Sequence, residues 1–384
     1  MKRLVAVLAA ALLLCAPARC PADYLVTDLG GLGGRTAAYG INASGQVVGT
    51  SYLPGGPAHA FLASGGQVKD LGTFGGWYST ATAVNDAGQV AGYAQLPSTA
   101  AHAFLYSGGT MRDLGTLGGN SSFANGISPT GAVVGMSDLA GSNAFHAFLY
   151  SGGKMTDLGT FGGAYSSATA VNAAGQVVGQ ADLAGRGLVE THAFLYSGGT
   201  MHDLGTLGGR NSGATGINAA GQVVGWSDLS GAVHAFLYSG GKMHNLGALG
   251  GDSSYATAAN ALRQAHAQDG VDIVSYATAV NDLGQVVGIS RTGKGTMDPF
   301  LYTGGRMIDL NSLLPPGSPF TLTSADGIND AGQIIAGSSD GRSFLLTPGN
   351  VGVVPEPTSL TLLALGGVAL AGCAWRRKRA AVRG

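Results

Sequence analysis

The chain has 384 residues, 67 of them glycine, and only 11% charged and 7% aromatic residues. Just two of its 21 acids are glutamate, Glu190 and Glu356, which excludes a mainly helical fold, while 45% hydrophobic residues exclude a disordered chain. The overall charge of −1 hides an acidic centre: residues 23 to 350 hold 12 Lys and Arg against 20 Asp and Glu, a net −8, which excludes a nucleic-acid binder.

In chain order, Lys2 and Arg3 precede an apolar run from Leu4 to Leu14 that is too short for a stable membrane span. Ala16-Pro17-Ala18 follows as a small-x-small cleavage site, so residues 1–22 read as a signal peptide. The three cysteines, Cys15, Cys20 and Cys373, all lie outside the central region, which must hold together without disulfides.

Residues 23–349 are built from one repeated unit. The glycine that opens its G-Q-V-V-G segment recurs as Gly45, Gly88, Gly131, Gly175, Gly221, Gly284 and Gly332, and steps of 43 to 63 residues separate these positions. A period near 43 suits a four-stranded propeller blade. Four strand-like pieces are legible in each copy: Ser79–Asn85, Gln89–Tyr93, His102–Tyr106 and Met111–Leu114 in the second. Asn85-Asp86-Ala87-Gly88 and Ser107-Gly108-Gly109 are tight turns between them. The Ala, Ser and Thr of the first piece suit the crowded axis. The bulkier Phe104 and Tyr106 suit the outer seams, and Phe74, Leu117, Phe161, Leu207 and Leu249 are expected to plug the gaps between blades. Tyr24–Gly30 reads as a fourth strand lacking the first three, and Arg342–Leu346 as a third lacking a fourth. The expectation is therefore an all-β, seven-bladed propeller of four-stranded blades closed by the N-terminal strand.

The repeated polar residues invite a search for chemistry. His59, His102, His146, His192 and His234 come from the third strands of successive copies, off the axis and too far apart to share an ion, two copies lack the residue, and each is expected to be a hydrogen-bonded histidine packed between blades. Asp28, Asp70, Asp113, Asp157, Asp203 and Asp309 each precede Leu-Gly or Leu-Asn and are expected to cap turns, and no cofactor or metal is expected at them. No phosphate loop, G-x-S-x-G or H-E-x-x-H motif occurs. The loops at 50–58, 136–145 and 180–191 vary and share one face, which is where recognition is expected. An insertion at about 254–274 lies there too. Its stretch Tyr255–Gln268 has helical character, Ser-Tyr-Ala-Thr-Ala recurs at Ser254 and Ser275 as a mark of duplication, and Arg263 and His266 are its ligand-face residues.

The last segment, 350–384, carries Pro355, Glu356 and Pro357, then an apolar stretch read as a transmembrane segment at about 359–375. The basic residues Arg376, Arg377, Lys378 and Arg379 follow in a stop-transfer pattern. This three-part tail resembles the PEP-CTERM sorting signal of Gram-negative bacteria. The resemblance implies processing by an exosortase-type enzyme and a destination at the cell surface or in the extracellular or biofilm matrix. A plain anchor, retained in the mature protein, is the alternative. The repeat itself, with D-L-G-T-L-G-G, I-N-x-x-G-Q-V-V-G and H-A-F-L-Y, is similar to the extracellular HAF-repeat family. Copies six and seven depart from it at Asp298-Pro299-Phe300 and Arg342-Ser343-Phe344, and copy three has Ser128 and Ala132 for the turn Asn and the Gln. Together these features point to a non-catalytic binding or scaffold module for extracellular polysaccharide or surface protein, with membrane contact only through the tail. A secreted glycan-active enzyme using the propeller channel, or a purely structural matrix component, are the other readings.

Overall fold

The computed structural model describes residues 24–142, 144–185, 190–229, 232–247, 255–256, 275–281, 283, 285–291, 297–303 and 306–349. After β1 (Tyr24–Asp28), the first copy of the repeat forms β2 (Thr36–Ile41), β3 (Val47–Tyr52), β4 (Ala58–Ser64) and β5 (Gln67–Gly72), antiparallel neighbours in that order. Two glycines show why the repeat folds this way. Gly88 adopts φ 72°, the left-handed conformation that lets Asn85–Gly88 close as a turn, with the Gly88 N–H donating to Asn85 O at 2.9 Å. Gly92 lies where a Cβ would overlap the Thr80 carbonyl oxygen and approach Phe104 Cζ to 2.8 Å, so the Phe ring covers bare backbone.

The number of blades predicted from the repeat is corrected by the hydrogen bonding. Among the described residues five blades stand as separate sheets rather than seven, four of them four-stranded and one five-stranded, while the remaining strands form one continuous eight-stranded sheet. The merger has a local cause. At the variable-loop end, the start of a third strand approaches the start of the next copy's first strand, as in Ala58 N–H to Trp77 O at 3.3 Å. Between copies three and four the approach becomes a parallel pair, Phe145 with Tyr165, and the sheet runs on. The five-stranded sheet gains its extra strand from the insertion. Tyr255–Ala256, predicted as helix, is instead a strand that pairs in parallel with Tyr276–Ala277, so the duplicated Tyr-Ala steps lie side by side. The helical element of the described residues is one 3-10 turn, Leu310–Leu313, capped by Asp309. The predicted signal peptide and sorting helix lie outside the described residues.

Apolar side chains fill the seams between successive copies. Val48, Ala60 and Leu71 of one copy meet Ala81, Val90 and Phe104 of the next, with Phe74 packed against them, and Leu117, Phe161 and Leu207 plug other seams as expected. Phe61, Phe104, Phe148, Phe194, Phe236 and Phe344 are fully buried. Each such side chain contributes about 1.5–3 kcal/mol by leaving water. The two ends of the repeat region are joined within one sheet: β1 lies antiparallel on Ser343–Pro348, with Tyr24 opposite Pro348 and Asp28 opposite Phe344. Tyr24 is buried with Leu301, Leu310 and Leu346. Every core cluster and both halves of the closing pair lie within Tyr24–Pro348.

Arg342 fastens this closure. Its guanidinium donates to Asp28 Oδ2 at 3.0 Å and to Asp340 Oδ2 at 2.8 Å, and it lies over the Phe320 and Phe344 rings. Hydrogen bonds from Arg342 and then Ser338 hold the Asp340 carboxyl down from 3.8 to about 2. A depressed carboxylate stabilises the folded state above its unfolded value and loses that contribution as pH falls through its folded value. Thermal unfolding of Arg342→Ala should therefore lie below the parent at neutral pH, and the two should converge as pH falls from 3.8 towards about 2. In a separate denaturant titration, Gly92→Ala should lower stability by about 1–3 kcal/mol through overpacking against Phe104.

Candidate functional site

Two faces of the ring differ in kind. On one, the Asn-x-x-Gly-Gln turns gather around the axis. Asn85 Oδ1 accepts the Gln89 N–H at 3.0 Å, and its Nδ2 donates to Gln89 Oε1 at 2.9 Å and to Ser128 O of the next copy at 3.1 Å. Asn42, Asn172 and Asn281 reach the following turn in the same way, and Asn329 reaches back to Asn42 O at 3.0 Å across the closing seam. Copy three has neither the Asn nor the Gln, which are each other's partners in the other copies, and Ser128 Oγ there accepts the Ala132 N–H instead. Asn125, in the preceding strand, donates to Ala168 O at 2.8 Å, the position from which Thr82 donates to Ala124 O at 3.0 Å and Thr169 to Ala214 O at 2.8 Å in their copies. These turns line an axial opening of about 250 Å³ with Asp86 and Asp330 among its walls. Asp86 Oδ1 accepts the Ala43 N–H at 2.9 Å.

A second inter-copy link is buried. Ser79 Oγ donates to Gly72 O and accepts the Ala60 N–H at 2.8 Å, and Ser122, Ser166 and Ser212 repeat the arrangement. The sequence pattern places this serine only among small residues near the axis. Its regular recurrence nineteen residues after the H-A-F alanine, as in Ala60 to Ser79, is the signal that could have found it.

The repeated histidines are hydrogen-bonded, each to a partner in its own blade. His59, His102, His146 and His192 each set Nδ1 within 2.9–3.0 Å of the carboxylate of Asp70, Asp113, Asp157 or Asp203 on the next strand. The same Asp accepts an N–H two residues on, as Gly72 donates to Asp70 Oδ1 at 2.7 Å, which is the predicted turn cap. In the strand register Asp70 stands opposite Phe61, two residues from His59, and the ladder shifts just beyond it, so the carboxylate meets the histidine diagonally across the ladder. In the last copy Arg342 occupies the histidine position and Asp28 the aspartate position. Among the described residues no three His, Cys, Asp or Glu side chains converge as a metal site. The His234 side chain lies outside the described residues.

The opposite face carries the variable loops. Tyr52, at the end of β3, is 49% exposed and Trp77, in the connection to the next copy, is 71% exposed. Their backbones are adjacent, since Tyr52 pairs with Ala58 and the Ala58 N–H donates to Trp77 O. From there a file of half-buried rings crosses a seam. Tyr78 and Tyr93 stand 6.3 Å apart edge to face, Tyr93 and Phe123 5.1 Å, and Phe123 and Phe145 6.4 Å. Burial, then the neighbouring Tyr93, raises the Tyr78 hydroxyl above its ordinary value, and burial raises Tyr165 as well, so both stay neutral donors. Backbone ends on this face are tied by carboxylates: Asp138 Oδ1 accepts the Ser121 N–H at 2.7 Å and Asp182 Oδ1 accepts the Thr191 hydroxyl at 2.9 Å. Arg263 and His266 lie outside the described residues, as do Pro355, Glu356, Pro357, Arg376, Arg377, Lys378 and Arg379. The exposed aromatic pair is absent from the sequence expectation because Tyr52 and Trp77 fall at positions where other copies have unrelated residues.

Residues 353–378 match the PEP-CTERM protein-sorting motif. The chain is thus an exported, exosortase-sorted protein with a transient C-terminal anchor and a propeller body. Comparison with curated protein sequences gives no match. Among solved structures, the β-propeller domain of the Trilobed protease from Pyrococcus furiosus, which has an open velcro topology, is similar at a TM-score of 0.51 and 8% identity. That similarity covers 82% of this chain and 94% of the domain. A catalytically inactive virginiamycin B lyase from Staphylococcus aureus aligns at a TM-score of 0.49 and 12% identity, over 85% and 99% of the two chains. TolB from Acinetobacter baumannii aligns at 0.41 and 14%, over 80% of this chain and 64% of its own length.

The two repeated polar devices should differ in energetic weight. Asn85→Ala leaves the Ser128 carbonyl and the Gln89 amide without their partner and should cost about 1–3 kcal/mol. His102→Gln breaks a solvent-facing pair and should cost under about 1 kcal/mol. Chemical denaturation of the two variants side by side measures the contrast.

Proposed function

We propose that this protein is a HAF-repeat module of the cell surface or extracellular matrix, non-catalytic, that binds extracellular polysaccharide on its variable-loop face. In this reading residues 1–22 are removed on export, the propeller occupies 23–349, and the 350–384 tail is cut by an exosortase-type enzyme. The sorting motif supports the destination. The observation that carries the ligand is the aromatic file, with Trp77 and Tyr52 exposed at its end. Flat rings with polar tips, set on a rigid scaffold, offer faces for the C–H surfaces of sugar rings and hydroxyls for their edges.

The second reading, a glycan-active enzyme working through the axial opening, draws on Asp86 and Asp330 in its wall. One experiment separates them. The purified protein is applied to a glycan array and the retained glycans are recovered and sized. The binding reading predicts intact glycans and at least tenfold weaker retention by Tyr52→Ala/Trp77→Ala. Shortened glycans whose formation ceases in Asp86→Asn would establish the enzyme, and undiminished retention by the aromatic double variant would remove the proposed face.

A further inference from the structure

The outer edge of the closing blade differs from the outer edge of every other copy. In the repeat the fourth strand is the last of its sheet, with one side open. Such edges are templates for pairing and are commonly guarded by charge. Here the guards are Lys69 in β5, Arg112, Lys154, His202, Lys242 with His244, and Arg306 in the later copies. Two of them also cover the seam beside them, Lys69 Nζ lying 5.2 Å from the Tyr106 ring centre and Arg112 Cζ 5.9 Å from that of Tyr150. At the closing blade the equivalent edge is β1, Tyr24-Leu25-Val26-Thr27-Asp28. Leu25 and Thr27 stand where the basic residues stand elsewhere, and Ala63 replaces the tyrosine of the adjoining strand. Leu25 is 65% exposed.

Among the described residues nothing hydrogen-bonds to the β1 backbone on that side. The Leu29 N–H donates to Ser343 O at 3.0 Å, so Leu25, Thr27 and Leu29 turn their peptide groups towards the last strand. By the alternation of an antiparallel ladder, Tyr24, Val26 and Asp28 turn theirs outwards. A two-fold axis at Val26 would pair Val26 with Val26 and Tyr24 with Asp28 of a second copy, each pair exchanging two hydrogen bonds. Charge favours the same occupant. The one charged residue of β1, Asp28, stands at its end, shares Arg342 of its own chain with Asp340, and in this register faces Tyr24 rather than the second Asp28, which leaves Tyr24–Thr27 as an uncharged strip. Two bodies of net −8 repel over most of their surfaces, and this uncharged strip is where they can approach.

We infer that the protein forms an isologous dimer through edge-to-edge pairing of β1, which makes one continuous sheet from two closing blades. Because the paired strands run in opposite directions, the two variable-loop faces of this dimer point to opposite sides, and on the proposed reading it would bridge two polysaccharide strands.

The test uses the full exported chain with its tail, in mild detergent, and measures mass by light scattering across a concentration series. Two variants accompany it. Leu25→Lys/Thr27→Lys restores the guard that the other copies carry. Val26→Pro removes the central outward N–H while leaving the β1 ladder to the last strand intact. The parent should weigh twice the monomer at high concentration, and each variant that keeps the parent's circular dichroism spectrum should weigh half as much under the same conditions. A parent that stays monomeric throughout, or a folded variant with the parent's dimeric mass, overturns the inference. The two variants fail to fold for different reasons if at all, one through charge and one through backbone, so either suffices for the reading.

Discussion

Everything in this molecule depends on the contact between one copy of the repeat and the next being the same contact that joins the last copy to the first. A four-stranded antiparallel sheet of about 43 residues cannot bury both of its faces alone. It does so only between two neighbours, with Phe104-type rings inside each seam and Asn85-type carboxamides bridging the turns at the axis. An open stack would leave one face bare at each end. The Asn329 bond to Asn42 and the pairing of β1 with Ser343–Pro348 remove those ends. Because β1 comes from the N-terminal side of the first copy, the two chain ends of the body are tied in one sheet, and neither can leave without opening the ring.

Closure of this kind places constraints unevenly. Residues at the axis and in the seams repeat almost without change, since each must fit two neighbours at once. The turns at one face are held by the Asn and Gln of the same motif, so they are short and uniform. The loops at the other face carry no such duty and differ from copy to copy, which is where Tyr52, Trp77 and the insertion arise. A rigid ring with one uniform and one variable face is a suitable carrier for recognition, and the sorting motif puts that carrier outside the cell.

Much of the architecture was legible in the sequence because the repeat samples each position several times. The strand order, the Gly88-type turns, the Asp70-type caps and the closing role of Tyr24–Asp28 all follow from patterns within single copies or at the register of the ends. What the pattern could not carry were relations between copies. The five separate blades and the merged eight-stranded sheet turn on whether Phe145 and Tyr165 come into bonding distance, which depends on the connecting loop and not on the repeat. Tyr255–Ala256 has the composition of a helix but lies beside its own duplicate, and sheet pairing overrode propensity. Arg342 reads as a loss of the H-A-F histidine until its partner proves to be Asp28, more than three hundred residues away. The aromatic face was invisible for the opposite reason: it is made of residues that do not repeat.

Hydrogen exchange followed by mass spectrometry tests the closed ring most directly. If β1 is an integral strand of the closing blade, the amides of Leu25, Thr27 and Leu29 should be protected as strongly as those of Ser343–Pro348 and should be lost with them in one cooperative opening. Amides of Leu25–Leu29 that exchange at the rate of an unstructured terminus, while Ser343–Pro348 stays protected, would contradict the closure and the account built on it.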